Sequence, residues 1–342
     1  MNPLERLWYC RSRIAYVAAP LALVFWALYS VRRSMYRLGL LRITRLTVPV
    51  VVIGNISVGG TGKTPLTLWL VQALKDAGLE PGIVCRSYRA RAAGPRAVDA
   101  LGDPGLYGDE AVLLARLQTC PVWSGPDRVA TARAITAAHP QLNVIVCDDG
   151  LQHYALHRDC EIAVIDAMRG FGNGMLLPAG PLREPPSRLK TVNAVVINGD
   201  GPVQGHWRPA ESFVMRLDGE IFHNLLEPQR SARADAFRAK RVAAIAGIGN
   251  PERFFEHLRG LGIEFTALPF ADHHPFSAKD LGRLDAEVVL MTEKDAIKCA
   301  PFADQRMWTL PVKAKVRDSL LSLVLVRIDK QNTDGRAYSN HA

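Results

Sequence analysis

Short apolar runs alternate with longer segments of helical character along most of the chain. Runs that predict strands lie at residues 50–53, 82–85, 143–147, 161–165 and 194–197, and segments that predict helices lie at 65–77 and 110–117. Strands separated by helices in this way are typical of a parallel sheet. The pattern therefore predicts an α/β fold with a mostly parallel, doubly wound sheet.

The alternation breaks at residues 199–212, which are rich in glycine and proline, and a second α/β unit follows. In this unit residues 241–246 and 288–292 predict strands, and 247–258 predict a turn and a helix. We place the boundary near residue 205. The predicted organisation is a basic amphiphilic helical segment at 1–45, a core at 46–205, a smaller α/β lobe at 206–330 that closes over the site, and a loose polar tail at 331–342.

The positive charge of the chain is concentrated at its start. Residues 1–45 hold eight arginines and one glutamate, which accounts for +7 of the formal net charge of +9. The near-neutral remainder argues against a nucleic-acid-binding body. The six cysteines are scattered and form no Cys-x-x-Cys pair, so the sequence predicts neither a zinc site nor a disulfide framework.

An uncharged stretch runs from Ile14 to Val31 between flanking arginines. As a helix its 18 residues rise about 27 Å, slightly less than a typical hydrocarbon core. Tryptophan and tyrosine near its ends favour the headgroup level. The segment is typical of a helix that dips into one leaflet or spans only marginally, with a buried core helix as the alternative. A signal peptide would export an ATP-type loop to a place without ATP.

The segment VVVIGNISVGGTGKTP at residues 50–65 places a glycine-rich loop between a predicted strand and a predicted helix. It follows the P-loop pattern except that Ser57 stands where the first glycine belongs. The residues expected to cradle phosphate are Ser57, Gly59, Gly60, Thr61 and Gly62. Lys63 would reach the β and γ phosphates, and the Thr64 hydroxyl would bind Mg²⁺. The alternative is an ordinary glycine-rich turn that caps a helix.

Two carboxylates end the predicted strand in NVIVCDDGLQHYAL, at Asp148 and Asp149. The carboxyl ends of parallel strands are where ligands bind in such sheets, so this pair fits the second, acidic strand end that a P-loop requires. Either aspartate could instead be a turn residue before Gly150. His153 could serve the site or simply hold the loop.

Six segments in this order resemble the tetraacyldisaccharide 4′-kinase family. They are SVGGTGKTP, GDE at 108–110, DDGLQH at 148–153, LPAGPLREP at 177–185, ADHH at 271–274 and MTEKD at 291–295. The resemblance extends from the N-terminal segment to beyond residue 295. One departure is RSYRARAAG from Arg86, where the family more often reads RGYGR, and it involves Tyr88.

The resemblance implies an ATP- and Mg²⁺-dependent kinase of lipid A synthesis. Its implied acceptor is the 4′-hydroxyl of a tetraacylated glucosamine disaccharide 1-phosphate, and its product is lipid IVA. The implied location is the cytoplasmic face of the inner membrane of a Gram-negative bacterium. The implied partners are the lipid substrate and the membrane surface, without nucleic acid or a protein partner.

The resemblance also assigns roles to single residues. Asp109 matches the catalytic base and His273, in the second lobe, the residue that pairs with it. Lys63, Thr64, Asp148, Asp149 and His153 match the nucleotide site. Glu110 matches a metal partner, and Arg183 and Glu184 stand in the LREP segment, where we expect contacts to the nucleotide and to the metal respectively.

The residues alone leave alternatives to several of these roles. Asp109 precedes an apolar helix and could be a simple N-cap. His273 could be a surface residue, and Arg183 could clamp a nucleotide phosphate or the 1-phosphate, or form a surface ion pair. The rival function is a membrane-docked nucleotide-switch NTPase. Such a switch does not need the hydroxyl-activating set that GDE and the Asp-His-His loop would supply.

Overall fold

The structure of the chain is a computed structural model, and it describes residues 7–9, 13–87, 94–117, 120–201, 203 and 211–339. Tyr88 and the predicted boundary near residue 205 lie outside these ranges. The chain divides into two compact units. The larger contains Pro3–Arg216 and Ala314–Ala342, and the described residues of the smaller are Leu217–Lys313.

The described residues form fifteen strands. In chain order they are β1 Val50–Gly54, β2 Pro81–Arg86, β3 Arg96–Ala97, β4 Val122–Gly125, β5 Val144–Asp148, β6 Cys160–Asp166, β7 Ala194–Asn198, β8 Ser212–Asp218, β9 Phe222–Asn224, β10 Ser231–Ala232, β11 Val242–Ala246, β12 Thr266–Pro269, β13 Val288–Thr292, β14 Met307–Leu310 and β15 Lys313–Lys315.

The described residues also form nine α-helices. They are α1 Ala19–Arg37, α2 Lys63–Asp76, α3 Pro104–Tyr107, α4 Asp109–Leu117, α5 Arg128–Ala138, α6 Pro251–Gly260, α7 Ala278–Gly282, α8 Glu293–Cys299 and α9 Ser319–Ser339. A 3-10 helix, Arg13–Ala18, leads directly into α1, and further 3-10 turns lie at Pro186–Lys190, Ala234–Phe237 and Ala300–Phe302.

The larger sheet has the strand order β15-β8-β7-β6-β1-β5-β2-β4-β3. The strand pairs from β8 across to β4 are parallel, and β3 pairs antiparallel at one edge. The prediction of a mostly parallel sheet is therefore confirmed. The chain passes from one side of β1 to the other between β5 and β6, and a sheet of this kind binds ligands beyond the carboxyl ends of its strands at such a switch point.

Strand β1 is buried along its whole length. Val50, Val52 and Ile145 pack with Ala132 and Ile135 of α5 on one face of the sheet. A strand covered on both faces reads as a continuous apolar run rather than as an alternation. This burial explains why the run at residues 50–53 is uninterrupted, and it fixes the strand from which the glycine loop departs.

The smaller unit has its own six-stranded sheet, in the order β10-β9-β14-β13-β11-β12. Strands β12, β11, β13 and β14 are parallel to one another, and β9 pairs antiparallel with both β14 and β10. Ala244 and Leu290 face one apolar cluster, which includes Phe255 of α6, and Ile245 and Met291 face another. This alternation gives the unit a core on each side of its sheet.

The C-terminal helix α9 belongs to the larger unit, which differs from the predicted bounds of the second lobe. Leu320, Val324 and Ile328 are buried at helical spacing, and α9 packs near α2, β1 and β6. Although α9 directly follows the smaller unit in the sequence, the burial of this apolar stripe places the helix in the larger unit. The helix continues to Ser339, so the predicted polar tail begins inside it.

Helix α1 presents most of its apolar surface to the outside. Ala15–Arg37 is long and apolar enough to cross a membrane, by length and composition, and only 11% of its most apolar window is buried. Leu21, Val24 and Leu28 are each more than half exposed. The alternative of a buried core helix does not describe this segment.

Candidate active site

The glycine loop leaves the carboxyl end of β1 and enters α2, as predicted. Gly62 immediately precedes α2 and has φ +95°, a conformation that side chains other than glycine rarely adopt. A Cβ there would also come within 2.3 Å of Nδ2 of Asn198. Ser57 needs no such freedom, because it forms an isolated antiparallel bridge with Leu182, and the adjacent Val58 donates its N–H to the carbonyl of residue 181 at 2.8 Å.

Two buried asparagines hold the glycine loop in place, and neither was predicted from the sequence. Nδ2 of Asn55 donates to Oγ1 of Thr61 at 3.2 Å, and Nδ2 of Asn198 donates to the Thr61 carbonyl at 3.0 Å. Asn198 ends β7 as Asp148 ends β5. The rule that polar residues at strand carboxyl ends serve the ligand site would have found it.

Lys63 and Thr64 occupy the first turn of α2. Nζ of Lys63 lies 3.5 Å from Oδ1 of Asp149, and Nη1 of Arg183 lies 3.5 Å from the other carboxylate oxygen. Burial opposes the charged form of Asp149, but Lys63 and then Arg183 outweigh it and hold its pKa well below the usual range. Three predicted site residues are thus joined in one charged cluster.

Asp148 is buried beside this cluster in a different environment. Its Oδ1 accepts a hydrogen bond from Oγ1 of Thr67 at 2.8 Å, and its carbonyl accepts one from Nη2 of Arg128 at 3.0 Å. Burial, followed by the charge of Glu110, raises the pKa of Asp148 to about 6. The two adjacent aspartates therefore differ sharply in proton affinity, which is common where carboxylates have separate roles.

Arg128 was not singled out in the sequence, although it is almost fully buried. It begins α5, and its Nη1 donates to the carbonyl of Gly125 at 3.3 Å. Together with the bond to Asp148, this contact fixes the turn that carries both aspartates. An arginine in the first turn of a helix gives no sequence signal of such a role.

Asp109 and Glu110 begin α4, directly after Gly108, whose φ is +95°. Asp109 is buried, and its Oδ1 accepts a hydrogen bond from the N–H of Glu110 at 2.9 Å. The negative charge of Glu110 contributes to the raised pKa of Asp148, so Glu110 lies near the carboxyl end of β5.

His153 lies in the turn after the aspartates, where its N–H donates to the Gly150 carbonyl at 3.0 Å. Burial and the charges of Arg128 and Arg86 lower the pKa of His153 to about 4. The imidazole is therefore neutral at physiological pH. A neutral ring can donate or accept one hydrogen bond, and it adds no positive charge to the cluster.

His273 lies in the smaller unit and has a left-handed backbone, with φ +62°. Its N–H donates to the Gly247 carbonyl at 3.2 Å, and its Nε2 lies 3.7 Å from a carboxylate oxygen of Asp272. Lys294 in turn pairs with Asp272 at 3.4 Å. A non-glycine residue held in this conformation is uncommon and costs of order 1 kcal/mol or more, which is typical of functional sites.

Glu184 has surroundings that do not fit its predicted role as a metal ligand. Its side chain is fully buried. Oε1 accepts a hydrogen bond from Gln152 at 2.8 Å, and Oε2 accepts one from Tyr154 at 2.8 Å and one from Tyr29 at 3.2 Å. Nε of Arg188 forms an ion pair with Oε2 at 3.2 Å. Because both oxygens are already engaged by protein donors, we correct the assignment to a structural acceptor.

The remaining predicted metal residues do not form a preassembled cage. Across the described residues, no group of three or more His, Cys, Asp and Glu side chains is arranged to hold a metal ion. Thr64, Asp148 and Glu110 supply oxygen atoms around the phosphate loop, which is the donor type that hard cations prefer.

These features define a P-loop nucleotide-binding protein: a glycine loop between a parallel strand and a helix, a lysine in the first helical turn and an aspartate pair at the neighbouring strand end. The sequence profile of the family described as tetraacyldisaccharide-1-P 4′-kinase matches residues 14–329. The chain belongs to this family.

Curated relatives and a solved structure agree with this assignment. A tetraacyldisaccharide 4′-kinase of Aromatoleum aromaticum is 49% identical over 94% of this chain and 96% of its own length. One from Azoarcus sp. strain BH72 is 48% identical over 94% of both chains. The crystal structure of "apo" form LpxK from Aquifex aeolicus in complex with ATP is similar with a TM-score of 0.76 at 28% identity, covering 92% of this chain and 99% of that one.

Proposed function

We propose that this protein is an ATP-dependent kinase that phosphorylates the 4′-hydroxyl of an acylated glucosamine disaccharide 1-phosphate and forms lipid IVA in lipid A synthesis. The observation that carries the proposal is the cluster of Lys63, Asp149 and Arg183 at the mouth of the glycine loop, in a chain matched by the kinase family over residues 14–329. The relatives bearing the kinase name align over nearly the whole chain.

The charged cluster suits the binding of a nucleotide triphosphate. Asp149 pairs with both Lys63 and Arg183, so its single negative charge offsets only one of the two positive charges. A phosphate group offers more negative charge than one carboxylate, so it can draw both cations towards the loop. Lys63 would then face the β and γ phosphates, and the planar guanidinium of Arg183 would bind phosphate oxygens in pairs.

The oxygen donors near the loop fit magnesium, which usually keeps several waters and binds one or two carboxylates together with substrate phosphates. Thr64 and Asp148 would hold the ion, with Glu110 beside them. When bound, Mg²⁺ supplies positive charge at the β and γ phosphate oxygens. Glu184 is not part of this set, because protein donors already engage both of its carboxylate oxygens.

Asp109 remains our proposed base for the acceptor hydroxyl. It begins a helix, so its carboxylate lies at the positive end of the helix dipole, and it is almost buried. A carboxylate with an ordinary pKa near 3.9 is a weak base for an alcohol, so a partner that orients or receives the proton helps. The family resemblance assigns that part to His273, whose strained backbone fits a functional role.

We further propose that α1 attaches the protein to the cytoplasmic face of the inner membrane by lying in one leaflet. Its residues from Tyr29 to Tyr36 contact the protein body, since Arg33 donates to Thr191 and Tyr36 packs on Tyr154. The apolar residues before Tyr29 number about 14 and rise only about 21 Å as a helix, which is too short to span about 30 Å of hydrocarbon. Exposed apolar side chains and nearby arginines suit an anionic lipid surface.

The decisive test is transfer of label from γ-labelled ATP to the tetraacylated disaccharide 1-phosphate in detergent micelles. We expect a labelled lipid that carries a second phosphate. A matched control uses lipid IVA as acceptor, in which the 4′-hydroxyl is already phosphorylated, and it should take up no label. Release of labelled inorganic phosphate without any labelled lipid would contradict the kinase proposal and favour the nucleotide-switch alternative.

A further inference from the structure

Helix α1 has a second, inward face that makes specific polar contacts. Five of its less exposed residues recur at spacings of three and four, which places them along one stripe: Ala22, Phe25, Tyr29, Arg33 and Tyr36. The exposed apolar residues lie outside this stripe. The helix therefore presents one surface to the surroundings and another, with polar groups at its C-terminal half, to the body of the protein.

The main polar contact of this inward stripe is a chain of two hydrogen bonds that ends at the buried carboxylate of Glu184. Nη1 of Arg33 donates to the hydroxyl of Tyr29 at 2.7 Å, and that hydroxyl donates to Oε2 of Glu184 at 3.2 Å. A hydrogen bond to a buried carboxylate is charge-assisted, and loss of a donor leaves the carboxylate less completely satisfied. Tyr29 is thus one of the groups that make the burial of Glu184 tolerable.

Glu184 is joined to the phosphate site through the backbone. Arg183 and Glu184 donate their N–H groups to the carbonyl of Ile56 at 2.7 and 3.3 Å, at the start of the glycine loop. Gln152, which donates to Glu184, also donates to the carbonyl of Asn55 at 2.9 Å. The same buried carboxylate therefore holds the loop stem, the turn after the aspartates and the segment that carries Arg183.

We infer that Tyr29 is a positioning residue of the phosphate site, which acts through Glu184 to hold Arg183 where it meets a nucleotide phosphate. The inference rests on the proposed function for the identity of the nucleotide. The inference links the packing of α1 against the protein body to nucleotide binding. Glu184 and Arg183 are consecutive, so a shift of the buried carboxylate moves the arginine backbone with it, and a bidentate phosphate contact tolerates little displacement.

The first test replaces Tyr29 with phenylalanine in the full chain and measures the dissociation constant of ATP with magnesium, without a lipid acceptor. The ring stays in place, and the change removes the hydroxyl that donates to Glu184 and accepts from Arg33. We expect ATP affinity to fall by about 3- to 10-fold, a fraction of the full value of one charge-assisted hydrogen bond. Tyr16→Phe is the matched control, because it removes the hydroxyl of an exposed ring in the same apolar segment. It should leave ATP affinity unchanged.

A double-mutant cycle with Arg183→Gln separates positioning from general destabilisation. Arg183 is partly exposed, so its replacement should fold. If Tyr29 acts through Arg183, Tyr29→Phe should have almost no further effect on ATP affinity in the Arg183→Gln background. Losses that simply multiply would overturn the inference, and so would a fall in urea midpoint with ATP affinity unchanged. Failure of the wild-type protein to bind ATP would instead contradict the proposed function.

Discussion

The ammonium nitrogen of Lys63 lies 3.5 Å from Oδ1 of Asp149, although Lys63 begins α2 and Asp149 follows β5. Both side chains are largely shielded from solvent, at 10% and 19% exposed. Asp149 also pairs with Arg183, so the three side chains together keep one positive charge in excess. The positive charge that a triphosphate would bind is therefore already held in position by the protein.

Replacing Lys63 with alanine removes the charge that we propose faces the transferring phosphoryl group. We expect turnover to fall by about 100-fold or more, because electrostatic stabilisation of the transition state is lost. The measurement is the initial rate of label transfer from ATP to the lipid acceptor at saturating concentrations of both.

Lys75→Ala provides the matched control for this change. Lys75 lies in the last turn of the same helix, at the end remote from the loop. Its replacement should change turnover less than 3-fold, as roughly expected for a surface position. Near-normal turnover of a folded Lys63→Ala protein would contradict the P-loop assignment.

Membrane attachment should depend on the outward face of α1. We expect the triple change Leu21→Gln, Val24→Gln and Leu28→Gln to abolish sedimentation with vesicles of anionic phospholipid, because each lost apolar side chain contributes about 1.5 to 3 kcal/mol of burial. Affinity for ATP should stay the same, since the inward stripe is intact. Deletion of residues 1–31 would test attachment less specifically, because it would also remove Tyr29.

A control for the vesicle experiment places glutamine at three other exposed apolar positions, Leu101, Leu226 and Val326. This protein should sediment with vesicles as the wild type does. If the α1 variant stays as firmly bound as the wild type, another surface carries the attachment.

Much of the larger sheet could be predicted because its central strands are buried on both faces. Val50–Gly54 and Val144–Asp148 read as apolar runs, and the structure has both as buried strands with the glycine loop and the aspartate pair at their carboxyl ends. The rule that polar residues at strand carboxyl ends serve the ligand site would also have found Asn198. Arg128 could not be found in this way, because its burial depends on three-dimensional packing against the aspartate turn.

Other errors came from long-range packing. Glu184 has the side chain of a metal ligand, but the sequence does not reveal that Tyr29, Gln152, Tyr154 and Arg188 converge on it from distant segments. The assignment of α9 to the larger unit was not predicted either. The sequence shows that one side of this helix is apolar, but it does not show which unit that side packs against.

Changing Asp109 to alanine should cripple transfer, because the hydroxyl loses its proposed base, and changing His273 to alanine should do so to a smaller degree. If the two residues act as one base, the double variant should be little slower than Asp109→Ala alone. Affinity for ATP should stay nearly unchanged in all three, since neither residue is assigned to the phosphate cradle. The measurements are single-turnover transfer rates and ATP dissociation constants.

Two results would change these assignments. Rate losses that multiply in the double variant would give Asp109 and His273 independent roles. A collapse of ATP binding in Asp109→Ala would make Asp109 a metal-binding or structural residue. Asp272→Asn is an informative companion, because Asp272 pairs with His273 and Lys294 in the smaller unit. It should reproduce part of the His273→Ala effect.

The smaller unit contains a buried carboxylate whose charge should make stability depend on pH. Oε2 of Glu293 accepts a hydrogen bond from the N–H of Val312 at 3.2 Å, but burial dominates and raises the pKa of Glu293 to about 7, from 4.5. Between these two values the folded protein keeps a proton that the unfolded chain has lost. The free energy of unfolding therefore decreases as pH rises from about 4.5 to about 7, and the full cost of the buried charge is present above that range.

Glu293→Gln should remove this cost, because the amide has nearly the same shape, stays neutral and can still accept the hydrogen bond from Val312. We expect the variant to be more stable than the wild type at pH 8, and its advantage should grow by about 2 to 3 kcal/mol between pH 5 and pH 8, since one pKa unit corresponds to about 1.4 kcal/mol and most of the interval between the two pKa values lies in this range. Urea unfolding of both proteins at the two pH values measures the difference. Glu252→Gln is the matched control, because Glu252 is exposed and pairs with Arg259, and it should shift stability by less than about 0.5 kcal/mol at either pH. If the advantage of Glu293→Gln were the same at both pH values, the carboxylate would be ionised in the folded state throughout, and solvent or an unrecognised cation would have to compensate its charge.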